Sequence, residues 1–243
     1  MKIYPTFFSL IFFVNLLLSQ TSFDYSVVNF DVIKKINVGD QNDSNVFKSS
    51  SLSSLKGIIG SPYRNTSFEI GIIYKNKDSV KTFLRYNGLN DEIEISSTKD
   101  ATSSKNAVIK SKFISCKIKN ELFIFKDFID EKKYKSNGYL IRAYSGEKYS
   151  LYIRDKKVFI DGEKAKNSLE GDKPPKFIDK QTIFIQYKSD LPRPTKLKYK
   201  KIAELIANED QPRLAKLKNS YRKINSLDRL ISLISNIDKQ FLK

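Results

Sequence analysis

From Phe68 onward, apolar residues recur at every second position in short runs, and polar or glycine-containing turns separate the runs. In Val80-Lys81-Thr82-Phe83-Leu84-Arg85-Tyr86 the alternation puts Val80, Thr82, Leu84 and Tyr86 on one face, and Glu92-Ile93-Glu94-Ile95 alternates as cleanly. The same period predicts strands over 68–74, 80–86, 92–95, 112–118, 122–128, 138–144, 149–154, 157–161 and 182–187. Turn signals such as Asn87-Gly88, Ser145-Gly146-Glu147 and Asp161-Gly162-Glu163 lie between them. Strands joined at hairpin length describe a mostly β, β-rich α+β protein: an antiparallel meander curled as a roll, a barrel or a sandwich.

The period changes after Leu191-Pro192-Arg193-Pro194, which reads as a stiff connector closing the β region. Thr195 is placed to cap a helix carrying Ile202, Leu205 and Ile206 on one face. Pro212 suits the start of a second helix with Leu214, Leu217 and Tyr221 at helical spacing. Ser226 suits the cap of a third, with Leu227, Leu230, Ile231, Ile234, Ile237 and Phe241 in register. The expectation is a C-terminal bundle of about three short helices, their apolar stripes turned to a core.

Ahead of the strands, Lys2 is the only charge before Asp24, and the apolar run Phe7–Leu18 is followed by Ser19-Gln20-Thr21-Ser22. A positive start, a short apolar stretch and small polar residues are the marks of a secretory signal peptide cleaved near Ser19 or Gln20. The run is too short, and too polar at Asn15, for the roughly 20 apolar residues of a spanning helix. The expected organisation is a signal peptide over 1–20, an N-terminal segment with a Ser/Asn-rich linker over 21–56, an antiparallel β domain over 57–190, and a basic helical tail over 191–243. The expected address is the periplasm or the cell exterior, including peripheral association with the outer membrane.

Composition narrows the chemistry. The 243 residues hold no His and no Trp, so Ser-His-Asp and Cys-His machinery, imidazole metal sites and His-based switches are excluded. One Cys allows no intramolecular disulfide, so an exported fold must be held by its core. Cys116 alternates in phase with Ile114 and Ile118, which predicts a buried structural thiol. The formal net charge is +17, balanced over 21–100 and concentrated beyond residue 100. Such a chain suits anionic lipid head groups, acidic glycans or nucleic acid. The wealth of Lys, Asn, Ile, Phe and Tyr is also what AT-rich coding produces, and no interleaving of Arg with aromatics marks a nucleic-acid groove.

Two clusters are candidates for function. Asp91, Glu92 and Glu94 place three carboxylates in four residues, with Arg85 nearby. On a strand Glu92 and Glu94 share a face about 7 Å apart, a spacing compatible with acid/base work on a glycosidic bond. Adjacent carboxylates on one strand more often form a solvated face or pair with cations, which is the preferred reading of this charge-pair or polar-ligand cluster. In the tail, Arg213, Lys216, Lys218, Arg222 and Lys223 form a basic group for contact with a partner or an anionic surface. No catalytic residue, metal ligand or cofactor is assigned.

Three stretches together resemble a family of exported, functionally uncharacterised proteins of Bacteroidetes-type bacteria. They are Gly60-Ser61-Pro62-Tyr63-Arg64-Asn65 leading to Phe68, then Leu84-Arg85-Tyr86-Asn87 with Asp91-Glu92-Ile93-Glu94, then Lys173-Pro174-Pro175-Lys176-Phe177 with its β run and Lys-rich tail. The chain departs at Asn87-Gly88-Leu89-Asn90, where the family often carries a bulkier residue than Gly88. The resemblance implies a β-rich envelope protein and names no catalytic residue. The functional expectation is an exported, non-enzymatic interaction or scaffold module that meets an unidentified envelope protein or an anionic surface (lipid head group or acidic glycan). The alternatives are a carboxylate-dependent hydrolase or lyase of an envelope or extracellular polymer, and a small-ligand carrier in a β-barrel.

Overall fold

Strand alternation and hairpin turns produce one antiparallel sheet of ten strands in the computed structural model, which describes residues 57–104, 106–165 and 171–239. The expected signal peptide, the Ser/Asn-rich linker and Phe241 lie outside these residues. In chain order the strands are β1 Glu69–Lys75, β2 Asp78–Asn87, β3 Glu92–Ser96, β4 Asn106–Ala107, β5 Ile114–Ile118, β6 Glu121–Ile129, β7 Lys135–Ser145, β8 Tyr149–Ile160, β9 Lys176–Tyr187 and β10 Arg193–Thr195. Their order across the sheet is β10-β9-β8-β7-β6-β5-β1-β2-β3-β4, so the meander is broken once, where β5 returns beside β1. The β1–β2 turn is tight: Lys75 pairs with Asp78, and Asn76 takes a φ of 56°.

The sheet curls into a half-barrel, and the segment before β1 ties its distant strands together. Ile59 bridges Lys176 of β9, and Tyr63 bridges Asn87 of β2. Phe177 N donates to Ile59 O at 2.9 Å, Gly88 N to Pro62 O at 2.9 Å, and Lys157 N to Gly88 O at 3.0 Å. Gly60 sits at a φ of 86° with a Cβ position only 3.2 Å from Phe177 O, a place that only glycine fills without strain.

Alternation sorts the apolar side chains onto two faces. The inner face of the curl joins Ile73, Leu84, Tyr86, Ile93, Ile95, Cys116, Phe123, Tyr139, Ile141 and Ile153 into one core. Tyr149, Leu151, Ile183 and Ile185 continue that face and are roofed by the helices. Phe128, Leu140, Tyr152 and Phe184 form a small core on the opposite face.

The helices are α1 Tyr199–Ala203, α2 Gln211–Leu217 and α3 Leu227–Asp238, with a 3-10 turn over Asn208–Asp210. Helices of five and seven residues do not hold alone in water, so burial holds them. Ile202, Ile206, Leu214, Leu230, Leu233, Ile234 and Ile237 are buried against the sheet. Carboxylates add direction to this contact. Asp238 accepts from Lys148 N at 2.7 Å, from Glu147 N at 2.8 Å and from Tyr144 Oη at 3.0 Å. Asp210 accepts from Tyr149 Oη at 2.9 Å and Lys148 Nζ at 3.0 Å. A side chain at Gly146 would collide with Asp238, so the β7–β8 turn needs glycine for this approach.

The mostly β class with three short C-terminal helices is as expected, and Ser226 caps α3 by accepting from Arg229 N at 3.2 Å. Pro212 lies in the first turn of α2, which ends before Tyr221. Several details differ. Arg193–Thr195 forms the last strand rather than a connector, and Thr195 caps nothing: α1 starts after Lys198. Residues 149–160 form one strand, because charged Arg154–Lys157 remain paired with Thr182–Asp179 of β9. That pairing also starts β9 at Lys176, ahead of its apolar run. The two-residue β4 carries too little pattern to be read from alternation.

Replacing Asp238 by Ala strands two hairpin N–H groups and should lower unfolding stability by about 3 kcal/mol. Exposed Asp228→Ala should stay within about 0.5 kcal/mol, with both variants read by urea titration.

Candidate functional site

Much of the acidic run is buried, with Glu94 on the sheet face opposite the inner core. Arg85 and Glu94 lie opposite each other on β2 and β3, and both side chains are buried, 2% and 9% exposed. Arg85 Nη2 donates to Glu94 Oε2 at 2.7 Å, Arg85 Nη1 to Thr66 O at 2.8 Å, and Asn87 Nδ2 to Glu94 Oε1 at 3.1 Å. The guanidinium carbon stands 3.6 Å from the Tyr63 ring centre and 4.1 Å from that of Phe68. The aromatic residues of the segment before β1 therefore cover a buried ion pair whose hydrogen-bonding capacity is met.

Asp91 is held in a different place. A φ of 56° in the β2–β3 turn directs its carboxylate into a gap between β7 and β8, whose pairing begins only at Ile141 and Ile153. There Asp91 Oδ1 accepts from Tyr86 Oη at 2.7 Å and Tyr139 N at 3.2 Å, and Oδ2 from Arg154 Nη2 at 3.2 Å. A Cβ on Gly138 would overlap Asp91 Oδ2, so glycine opens the gap. Burial, and then the charge of Asp91, hold the Tyr86 hydroxyl well above its ordinary value near 10. Burial does the same to Tyr139. Its Oη and Arg154 Nε are the buried side-chain polar atoms without a partner among the described residues.

Of the three carboxylates, Asp91 and Glu94 thus accept from backbone, amide, hydroxyl and cation donors inside the fold, and only half-buried Glu92 meets solvent. Asp91 and Glu94 therefore do not form a solvated face, and Glu94 pairs with Arg85 at 2.7 Å. Acid/base catalysis needs a carboxyl within hydrogen-bond reach of a substrate proton, which these two are not placed to give. Among the described residues no group of three Asp, Glu or Cys side chains is gathered for a metal ion. Cys116 is fully buried on the inner face, where desolvation pushes its thiol far up.

The five cations of the tail divide. Arg213 turns inward and donates through Nη1 to Ile237 O and to Lys239 O, closing the C-terminal end of α3. Lys216, Lys218, Arg222 and Lys223 are exposed on α2 and the loop after it. A second group of cations, absent from the sequence expectation, lines a groove of about 730 Å³. Lys133 stands on the β6–β7 turn, Arg193 on β10 and Lys196 just beyond it, with α1 and Leu205 as the far wall. Sixty residues of chain separate the first from the others, so no local pattern announces them. Comparison of the chain with family models, with curated proteins and with solved structures gives no match.

Three outcomes test this description. Glu94→Ala leaves Arg85 buried without its partner and should cost about 3–5 kcal/mol, whereas Glu92→Ala should change the urea midpoint little. Stability should fall as pH rises above about 10: unfolded tyrosines then ionise, while Tyr86 and Tyr139 stay neutral in the fold. A Tyr86→Phe/Tyr139→Phe variant should flatten that alkaline loss. Iodoacetamide at neutral pH should label Cys116 only after denaturation, as read by mass.

Proposed function

We propose that the protein is an exported, non-enzymatic interaction module of the cell envelope, whose basic C-terminal part meets an envelope protein or an anionic surface. The carrying observation is the sorting of charge within the tail. Asp210 and Asp238 face the sheet, and Glu209 bonds Tyr187 Oη at 2.9 Å and lies 3.4 Å from Lys148 Nζ. Lys216, Lys218, Arg222 and Lys223 remain outside, with no ion-pair partner among the described residues. Packing against the sheet therefore buries two of the tail's five acids, Asp210 and Asp238, and leaves its exterior more basic than its composition. A field of that kind raises encounter rates with anionic partners at low salt.

The β-sheet serves as scaffold. Both sheet edges are short strands, β4 with two residues and β10 with three including Pro194, which disfavours capture of a partner by strand addition. The hydrolase and carrier alternatives lose support, because Asp91 and Glu94 are committed internally and the inner face is filled by side chains and helices. No described helix is long and apolar enough to cross a membrane.

The test is capture from envelope extract, at low and high salt, with the wild type and with a Lys216→Ala/Lys218→Ala/Arg222→Ala/Lys223→Ala variant. A partner retained by the wild type and lost by the variant is expected. Equal capture by both would overturn the role of the tail, and Edman sequencing that begins at Met1 would overturn export with cleavage.

A further inference from the structure

We propose that the groove between the β6–β7 turn and β10–α1 is a binding site for a carboxylate-bearing glycan. This deepens the interaction-module proposal by giving it a ligand, and it rests on that proposal. The groove is built where the sheet bends back on itself: Ile129 N at the end of β6 donates to Pro192 O, just before β10, at 2.9 Å. Its volume, about 730 Å³, lies in the range of ligand-holding clefts.

Charge in the groove is sorted by pairing. Glu131 is matched by Lys180, and Glu204 by Lys201 at 2.9 Å. Asp130 Oδ1 accepts from Lys132 N and Tyr134 N, both at 2.9 Å, and so fixes the turn. Lys133, Arg193 and Lys196 remain, exposed and with no side-chain partner among the described residues. Lys133 is held at a φ of 69°, and its N–H donates to Asp130 O at 3.0 Å, so its backbone position is defined by the turn. Three cations from two separate elements thus converge on one concavity.

The surroundings select the kind of anion. A peptide strand would need donors along the outer edge of β10. Pro192 O points away from β9 toward Ile129, so Pro194, two residues on, shares that outward side and has no N–H to offer. A bilayer presents a broad plane of negative charge, whereas these cations line a concave groove whose walls also carry Asp130, Glu131 and Glu204. Those carboxylates repel a uniformly anionic surface but accept hydroxyl donors. Ile129, Pro194 and Leu205 supply apolar area for the C–H face of a sugar ring. Hydroxyls, carboxylates and C–H faces in one chain are the chemistry of an acidic polysaccharide.

The experiment is calorimetric titration of protein recovered from producing cells with tetragalacturonate, maltotetraose, poly-Glu peptide and phosphatidylglycerol/phosphatidylcholine vesicles. Wild type, a Lys133→Ala/Arg193→Ala/Lys196→Ala variant and the four-site tail variant are compared, with circular dichroism as the check of fold. Tetragalacturonate should bind the wild type and the tail variant alike, bind the groove variant about ten-fold or more weakly, and leave maltotetraose unbound. Arg193→Lys in place of Arg193→Ala should restore part of the affinity. Tetragalacturonate binding that survives in the groove variant but falls in the tail variant would overturn the groove while leaving the interaction module standing. Vesicle or poly-Glu binding without tetragalacturonate binding would overturn the glycan assignment alone. No binding of any anionic probe, with no partner captured from envelope extract, would overturn both proposals.

Discussion

An antiparallel sheet that curls without closing leaves one end of its inner face uncovered, and that constraint organises the whole molecule. Strands β1, β2, β3 and β5 to β8 fold far enough to bury their inner residues against one another. Tyr149, Leu151, Ile183 and Ile185 lie beyond that mutual cover. The helices supply the missing surface, and their own shortness makes them depend on it. Sheet and tail are therefore parts of one apolar core, even though their sequence periods differ.

Apolar burial has no direction, so polar groups set the register of these contacts. Asp238 and Asp210 tie the helices to the β7–β8 hairpin, and Asp91 occupies the gap between β7 and β8. Each accepts several donors at once, which offsets the cost of taking a carboxylate out of water. Gly138 and Gly146 have no side chain for the same reason: a carboxylate stands where a Cβ would be. The same use of acids makes the exterior of the tail more basic, linking its packing to its proposed role in binding.

The strands were legible because each has one buried face, which imposes a period of two, and the apolar stripe of α3 was legible through its period of 3.6. The extension of β8 through Arg154–Lys157 was not, since those residues are kept in the sheet by backbone pairing with β9 rather than by apolar alternation. Arg85 with Glu94 was readable as a pair because antiparallel register brings the ends of a hairpin opposite each other. Its burial was not, because Tyr63 and Phe68 reach it from a preceding segment.

By itself the sequence determined the mostly β class, the helical C-terminal part, the exclusion of histidine chemistry and the buried state of Cys116, since composition and periodicity act locally along the chain. Tertiary structure alone decided which charges face water. Asp91 and Glu94 look like solvent-facing acids in a short acidic run, and Lys133 looks like one lysine among many. Long-range pairing buries the first two and sets the third across a groove from Arg193 and Lys196. Electrostatic role depends on solvation and on neighbours in space, and neither quantity is written in the order of residues.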